Sequence, residues 1–257
     1  MSKDISKILH DWPYVPDSVS VRVVDGYDGT EKIQMRLDLG LLQMQLDGRP
    51  DGLTPEGCES WLDYYEQRQQ AFENGDGDAD VFELTPEDCG LLLQEGIQYY
   101  HRYLSFWRLD RFELCARDTA RNLRLFAFVR AHASRQRDKL QFDQWRPYVT
   151  MMNAKAVSKH LLEQERRPAA LEAIGLGIQG IERFLEDYNQ THRASECEEL
   201  QSLKRWLEEF RSESAPEDAP RPASRLEVLE QRLASAIAHE EFEQAAQLRD
   251  EIRRLRG

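Results

Sequence analysis

Residues 84–107, LTPEDCGLLLQEGIQYYHRYLSFW, combine a helix start with a long apolar stripe. Thr85 is placed to act as the N-cap and Pro86 as the first helical residue, while Leu84 and Cys89 take the two positions of a hydrophobic staple. Apolar residues then recur at helical spacing, namely Leu91, Leu92, Ile97, Tyr100, Leu104 and Trp107. The stretch therefore predicts a long amphipathic helix that belongs to a helical bundle.

A nearly identical helix start occurs earlier in the chain, at residues 53–58 with the sequence LTPEGC. By the same rules Thr54 would be the N-cap and Pro55 the first helical residue, with Leu53 and Cys58 forming the staple. We therefore expect a second helix that begins directly after Thr54.

Further helical patterns continue to about residue 211. One begins near residue 112 and could extend to about Lys139, and others cover residues 145–162, 169–185 and 200–210. Gly175, Gly177 and Gly180 each cost a helix roughly 1 kcal/mol relative to alanine, so we expect them to permit close contact with a neighbouring helix. Residues 53–211 are thus predicted to form a helical bundle.

The turns between these helices resemble one another. Residues 109–113 precede Cys115-Ala116, and residues 165–168 precede Ala169-Ala170. The resulting hairpins weakly resemble tetratricopeptide-type repeats, which stack pairs of helices. Their period is irregular, however, and an irregular helical bundle explains the pattern equally well.

Residues 1–52 carry the alternating pattern of β-strands. Apolar residues recur at every second position in three runs: Val19, Val21 and Val23, then Ile33, Met35, Leu37 and Leu39, then Leu42, Met44 and Leu46. Turn residues separate the first two runs at residues 25–29, and Gly40 separates the second from the third. The pattern predicts an antiparallel three-stranded meander whose apolar face needs a layer of helices to cover it.

Composition excludes several classes of protein. The 257 residues contain no apolar run of the roughly 20 residues needed to span a bilayer, and the N-terminus lacks the apolar region of a signal peptide, so we expect a cytoplasmic protein with no membrane contact. The four cysteines are widely spaced and are expected to be small buried residues, which favours neither a zinc site nor a disulfide framework. No catalytic or phosphate-binding motif is present, and the six histidines are scattered. We therefore expect no enzyme activity, no cofactor and no metal.

The charge is distributed unevenly. The net charge of -13 argues against direct binding of nucleic acid. Residues 99–139, however, are rich in arginine, and Arg117, Arg121 and Arg124 could bind a nucleic acid strand. Five aromatic residues could stack on its bases, namely Tyr99, Tyr100, Tyr103, Phe106 and Trp107. The alternative, which we favour, is that these arginines pair with the acidic residues of segment 47–95 and that the aromatic residues belong to the core.

The C-terminal stretch 226–255, LEVLEQRLASAIAHEEFEQAAQLRDEIRRL, predicts a helical hairpin. Leu229 and Leu233 lie on one apolar stripe of the first helix, and Gln231 lies on its opposite, polar face. Phe242 opens the second helix, in which Ala245 and Ala246 are small enough to let the two backbones approach closely. A hairpin of this size buries too little apolar surface to be stable alone, so we expect it to pack against another surface.

This stretch resembles the UVR motif, which occurs in the excinuclease subunits UvrB and UvrC, in Clp ATPases such as ClpC and in the regulator McsA. The matching residues include Leu229, Leu233, Phe242, Glu243, Ala245, Ala246, Leu248, Arg249, Asp250 and Ile252. The resemblance implies that these residues bind a helical surface on a protein partner or on a second copy of the chain. Docking of the hairpin on its own chain is the alternative.

Together these features predict an α+β, mainly α, protein. A β-meander at residues 1–52 and a helical bundle at 53–211 would be followed by a proline-rich flexible linker at 212–223 and the UVR-like helical hairpin at 224–257. The predicted function is that of a non-enzymatic adaptor or regulatory protein, in excision repair or in the control of a Clp-type protease. Nucleic-acid binding through residues 99–139 and peptide binding in a tetratricopeptide-like groove remain as alternatives.

Overall fold

The computed structural model describes residues 4–76 and 81–212. Within these ranges the chain forms three strands and eight α-helices. Their bounds are α1 Ser6–Asp11, β1 Ser20–Asp25, β2 Glu31–Arg36, β3 Leu41–Gln45, α2 Trp61–Ala71, α3 Pro86–Arg108, α4 Phe112–His132, α5 Gln136–Asp143, α6 Arg146–Glu163, α7 Arg167–Asp187 and α8 Glu198–Ser212. The predicted class, α+β and mainly α, is confirmed.

The predicted β-meander is confirmed, except that the second strand ends at Arg36 and Leu39 is 88% exposed. The strands are antiparallel in the order β1-β2-β3, with Met35 opposite Val21 and Ile33 opposite Met44. On the apolar face, Ile33, Met35 and Met44 are buried in one cluster with Tyr103 and Phe106 of α3. Helices therefore cover this face of the sheet, as its pattern required.

The opposite face of the sheet is polar but also largely covered. Gln34 accepts a hydrogen bond from Arg22 Nε at 2.8 Å and donates one to Gln43 Oε1 at 2.9 Å, which links all three strands. Arg36 Nε donates to the carbonyl of Trp12 at 2.7 Å, and the guanidinium of Arg22 lies 4.2 Å from the centre of the Trp12 ring. The segment that follows α1 thus lies against this face. Helix α1 itself is short, and the sequence pattern did not indicate it.

The two similar helix starts adopt different structures. At the second, Thr85 caps α3 as predicted, and the Asp88 carboxylate accepts a hydrogen bond from the Thr85 backbone N–H, so that a complete capping box forms. At the first, the prediction of a helix directly after Thr54 is wrong. Residues 55–57 form a single 3-10 turn, and α2 begins only at Trp61, where Ser60 is the N-cap.

The residue three positions after each threonine accounts for the difference. It is Asp88 in the second copy, whose carboxylate completes the capping box, and Gly57 in the first, which has no side chain to do so. Gly57 also has a positive φ of 77°, outside the helical region, and Glu56 has a φ of 49°. Leu53 is consequently exposed, and the staple expected with Cys58 does not form.

Among the remaining helices, α3 packs on α4, α4 on α6 and α6 on α7. The turns after α3 and α6 have the same geometry, because Asp110 and Glu165 both adopt the left-handed conformation. In each turn the next backbone N–H donates to a carbonyl five residues earlier, from Arg111 to Phe106 and from Arg166 to Leu161, both at 2.9 Å. The predicted similarity of these turns is therefore confirmed.

Helix α4 ends at His132 and does not continue towards Lys139. The backbone of Leu84 pairs with the segment after the helix, donating to His132 O at 2.8 Å and accepting from Ser134 N at 3.1 Å. This pairing fixes Ala133 in an extended conformation, with a ψ of 135°. A separate short helix, α5, then begins at Gln136.

The glycines of α7 allow close helix contact, as expected, at Gly177 and Gly180. A Cβ atom added to Gly177 would lie 2.5 Å from the Cβ of Ala154 in α6 and 3.1 Å from Leu203 in α8. One added to Gly180 would lie 3.2 Å from Thr150 of α6. Gly175, in contrast, has open space around its Cα atom.

The residues Met1–Glu208 form one compact unit and Glu209–Gly257 another. The predicted meander and helical bundle therefore share a unit. Of the linker predicted at residues 212–223 only Ser212 is described, as the last residue of α8, and the hairpin predicted at 224–257 lies outside the described residues. In the part of the chain that is described, no helix has both the length and the apolar character needed to cross a bilayer.

Candidate functional site

The three arginines considered for nucleic-acid binding all form ion pairs within the chain. Arg117 Nη1 lies 2.6 Å from Asp47 Oδ1, Arg121 pairs with Glu95, and Arg124 lies 2.8 Å from Asp63 Oδ1. Each of these carboxylates belongs to the acidic segment 47–95. The contacts support the interpretation that the two oppositely charged parts of the chain pair with one another.

Glu95 explains why Arg121 faces inwards. Its side chain is completely buried and accepts hydrogen bonds from the backbone N–H groups of Trp61 and Leu62, at 2.7 and 3.1 Å. The helix dipole favours a carboxylate at the N-terminus of α2. The guanidinium groups of Arg121 and Arg49 also pair with the negative charge of Glu95. This arrangement joins α2, α3 and α4 to the loop after β3.

A second buried pair joins α3 to α4. Arg102 Nε donates to Asp118 Oδ2 at 2.6 Å and Arg102 Nη2 to Asp118 Oδ1 at 3.0 Å, with both side chains 1% exposed. Arg102 Nη1 also donates to the carbonyls of Gln45 and Gly48, at 3.0 and 2.8 Å. The pair therefore holds the end of β3 and its following turn against the helices.

Most of the aromatic residues considered as stacking groups belong to the core. Tyr99, Tyr103 and Phe106 are at most 6% exposed. The face of Tyr99 is already occupied, because the guanidinium groups of Arg121 and Arg102 lie 4.1 and 4.7 Å from its ring centre. Among the five aromatic residues considered, Tyr100 is the one whose side chain is more than a third exposed, at 37%.

Tyr100 lies at the mouth of a cavity that sequence reasoning did not predict. The cavity has a volume of about 480 Å³ and lies between α3, α4, α5 and the start of α6. Its deeper, buried lining consists of Gly96, Tyr103, Asn122, Phe126, Phe142 and Val149. Its rim includes Ile97, Tyr100 and Trp145, which are 49%, 37% and 55% exposed.

Two of the cysteines have the expected environment. Cys89 and Cys115 are buried, and burial raises the pKa of their thiols to about 11 and about 12, so that both stay protonated at neutral pH. Cys58 and Cys197 are only half-buried. Among the described residues, no three or more His, Cys, Asp or Glu side chains come together in a way that could hold a metal ion.

The residues predicted to bind a protein partner lie outside the described residues. These are Leu229, Leu233, Phe242, Glu243, Ala245, Ala246, Leu248, Arg249, Asp250 and Ile252. Their assignment therefore depends on their sequence and on the comparison with known families.

Comparison with known proteins identifies the same C-terminal stretch. No curated protein and no solved structure matches the chain. The family model described as "UvrB/uvrC motif" matches residues 223–257, which confirms the resemblance carried by residues 226–255.

Proposed function

We propose that this protein is a non-enzymatic adaptor or regulatory protein that binds a protein partner through the UvrB/uvrC motif at residues 223–257. The family match to those residues is the observation that carries the proposal. The motif is known to mediate protein interactions in proteins of the UvrB, UvrC and ClpC type. A hairpin of about 35 residues gains most of its stability from the surface on which it packs, because it is too small to bury a core of its own.

The partner surface should be helical and apolar. Phe242, Ala245, Ala246, Leu248 and Ile252 would form the seam of the hairpin with Leu229 and Leu233, while Glu243, Arg249 and Asp250 would make polar contacts at its edge. An excision-repair subunit, a Clp-type unfoldase and a second copy of this chain are the partners that fit the motif. The proposal includes a cytoplasmic location for the protein.

The ion pairs of the described part argue against nucleic-acid binding by the arginine-rich helices. Arg121 is held by the buried Glu95, and the carboxylates of Asp47 and Asp63 would compete with phosphate groups for the more exposed Arg117 and Arg124. The net charge of -13 adds a long-range repulsion of nucleic acid. We therefore assign the body of the protein a supporting role in the interaction.

A matched pair of substitutions in the full-length chain tests the proposal. Phe242→Asp introduces a carboxylate into the predicted seam, whereas Gln231→Asp introduces the same charge on the predicted polar face of the first helix. Binding of each variant to purified UvrB-, UvrC- and ClpC-type proteins is measured by biolayer interferometry, and self-association by sedimentation velocity. Thermal unfolding of each variant establishes that residues 4–212 remain folded.

The wild type and Gln231→Asp should bind the same partner with equal affinity, and Phe242→Asp should bind at least about tenfold more weakly, a change of 1.4 kcal/mol. Equal binding by both variants would contradict the proposal, as would the absence of any interaction with these partners and with a second copy.

A further inference from the structure

The cavity beside Tyr100 results from the way the helices pack. Helix α4 contacts both α3 and α6 and forms the floor of a cleft between them. One end of the cleft is closed by α5, which contacts α3 and whose Phe142 packs on Phe126 of α4 with 6.2 Å between ring centres. The result is a local concave site with a mouth at Ile97, Tyr100 and Trp145.

Helix α8 packs beside α3 and α6, outside the cavity. Trp206 of α8 lies edge-on to Trp107 at the end of α3, with 6.3 Å between ring centres. Lys155 of α6 donates to Ser202 of α8 at 2.8 Å. The residues that line the cavity all come from α3, α4, α5, the turn after α5 and the start of α6, so the site is a local concavity whose size suits a compact ligand.

The lining of the cavity carries no formal charge. Although 32% of the chain is Asp, Glu, Lys or Arg, none of the fourteen described residues that line the cavity is of these types. Burial lowers the pKa of His101, which favours the uncharged form of its imidazole. An ion transferred from water into this cavity would lose hydration and gain no counter-charge, so the lining selects against charged ligands.

The same lining offers rings and hydroxyl groups. Tyr103 is 1% exposed, and neither its hydroxyl nor that of Tyr148 has a hydrogen-bond partner among the described residues. Either hydroxyl is therefore available to a ligand in the cavity as a hydrogen-bond donor or acceptor. Trp145 and Phe142 provide further aromatic surface.

We propose that this cavity binds an uncharged, mostly apolar small molecule that contains a ring system and at least one hydrogen-bonding group. The volume of about 480 Å³ falls within the roughly 300–1,000 Å³ of typical small-molecule sites. The rings of the lining stack on the ligand, and the hydroxyls of Tyr103 and Tyr148 fix its orientation. This site is separate from the C-terminal motif and does not depend on the function proposed for it.

The test uses the neutral fluorophore 1-aminoanthracene and its charged counterpart, anthracene-1-carboxylate, with the full-length chain. Ile97→Asp places a carboxylate at the rim, and Gln141→Glu adds a charge at an exposed lining residue with almost no change of shape. Leu176→Asp is the matched control, since Leu176 is 60% exposed on α7 and does not line the cavity. Circular dichroism melts establish that each variant is folded.

The wild type and Leu176→Asp should bind one equivalent of the neutral probe with the same affinity, and anthracene-1-carboxylate at least about tenfold more weakly. Ile97→Asp and Gln141→Glu should each weaken binding of the neutral probe. The proposal is overturned if the neutral probe does not bind, if both probes bind equally, or if all variants bind alike. Loss of self-association in Ile97→Asp, without probe binding, would instead identify the cavity as a contact between copies of the chain and would also overturn it.

Discussion

Asp118 accepts two hydrogen bonds from Arg102 at a position that water does not reach, with distances of 2.6 and 3.0 Å. Arg117 makes a different kind of pair, because its partner Asp47 has a side chain that is 84% exposed. The two pairs look alike in sequence, since each joins an arginine to an aspartate some distance away. Their burial decides how much each contributes to stability.

Replacing Asp118 by alanine should lower the free energy of unfolding by about 3–5 kcal/mol, because it leaves the guanidinium of Arg102 buried without its counter-ion. Replacing Asp47 by alanine should cost about 0–1 kcal/mol, as is usual for an exposed pair. Urea denaturation of both variants gives the comparison. Similar losses in the two variants would mean that Arg102 is not buried as described.

For single helices and strands, the pattern of neighbouring residues predicted those features that interactions between neighbouring residues determine. The alternation in residues 19–46 located the three strands, and the apolar spacing located α3, α4, α6, α7 and α8. The prediction of a helix at residues 53–58 was wrong. It was based on Thr54 as N-cap and Pro55 as first helical residue, whereas Gly57 has no side chain that could complete a capping box. The end of α4 depends on Leu84, about 50 residues away, and no local pattern contains that information.

The two LTPE sequences offer a direct test of the capping box. Thr85→Ala removes the hydroxyl that accepts from Asp88 N at 3.2 Å, and it should cost about 1 kcal/mol of stability. Thr54→Ala should change stability by less than about 0.5 kcal/mol, because Thr54 is exposed and caps no helix. Denaturant midpoints of the two variants decide the matter, and a loss at Thr54 equal to that at Thr85 would show that both copies start a helix.

The glycines of α7 should respond in opposite directions to the same substitution. Gly175→Ala should stabilise the protein by about 0.5–1 kcal/mol, because alanine is the better helix former and space is available. Gly177→Ala should destabilise it, since overpacking costs about 1–3 kcal/mol and the new methyl group would meet Ala154 and Leu203. Thermal melts measure both, and stabilisation by Gly177→Ala would contradict the close packing of α7 against α6 and α8.

At the scale of the whole molecule, the candidate sites differ in how far the sequence could predict them. The motif at residues 223–257 is continuous in the chain, so its residues could be recognised without a structure. The pairing of Arg117, Arg121 and Arg124 with segment 47–95 could be inferred from charge alone. The cavity could not, because its lining comes from α3, α4, α5 and the start of α6, and its shape depends on how these helices pack.

The central claim is that the C-terminal motif, and not the folded body, makes the protein contact. Site-specific photocrosslinking in living cells tests it, with p-benzoylphenylalanine placed at Glu243 in the motif or at Tyr27 or Leu39, which are highly exposed on the body. We predict a discrete crosslink to a protein partner or a second copy from position 243 and none from positions 27 and 39. Crosslinks from the two body positions, with none from position 243, would contradict the account.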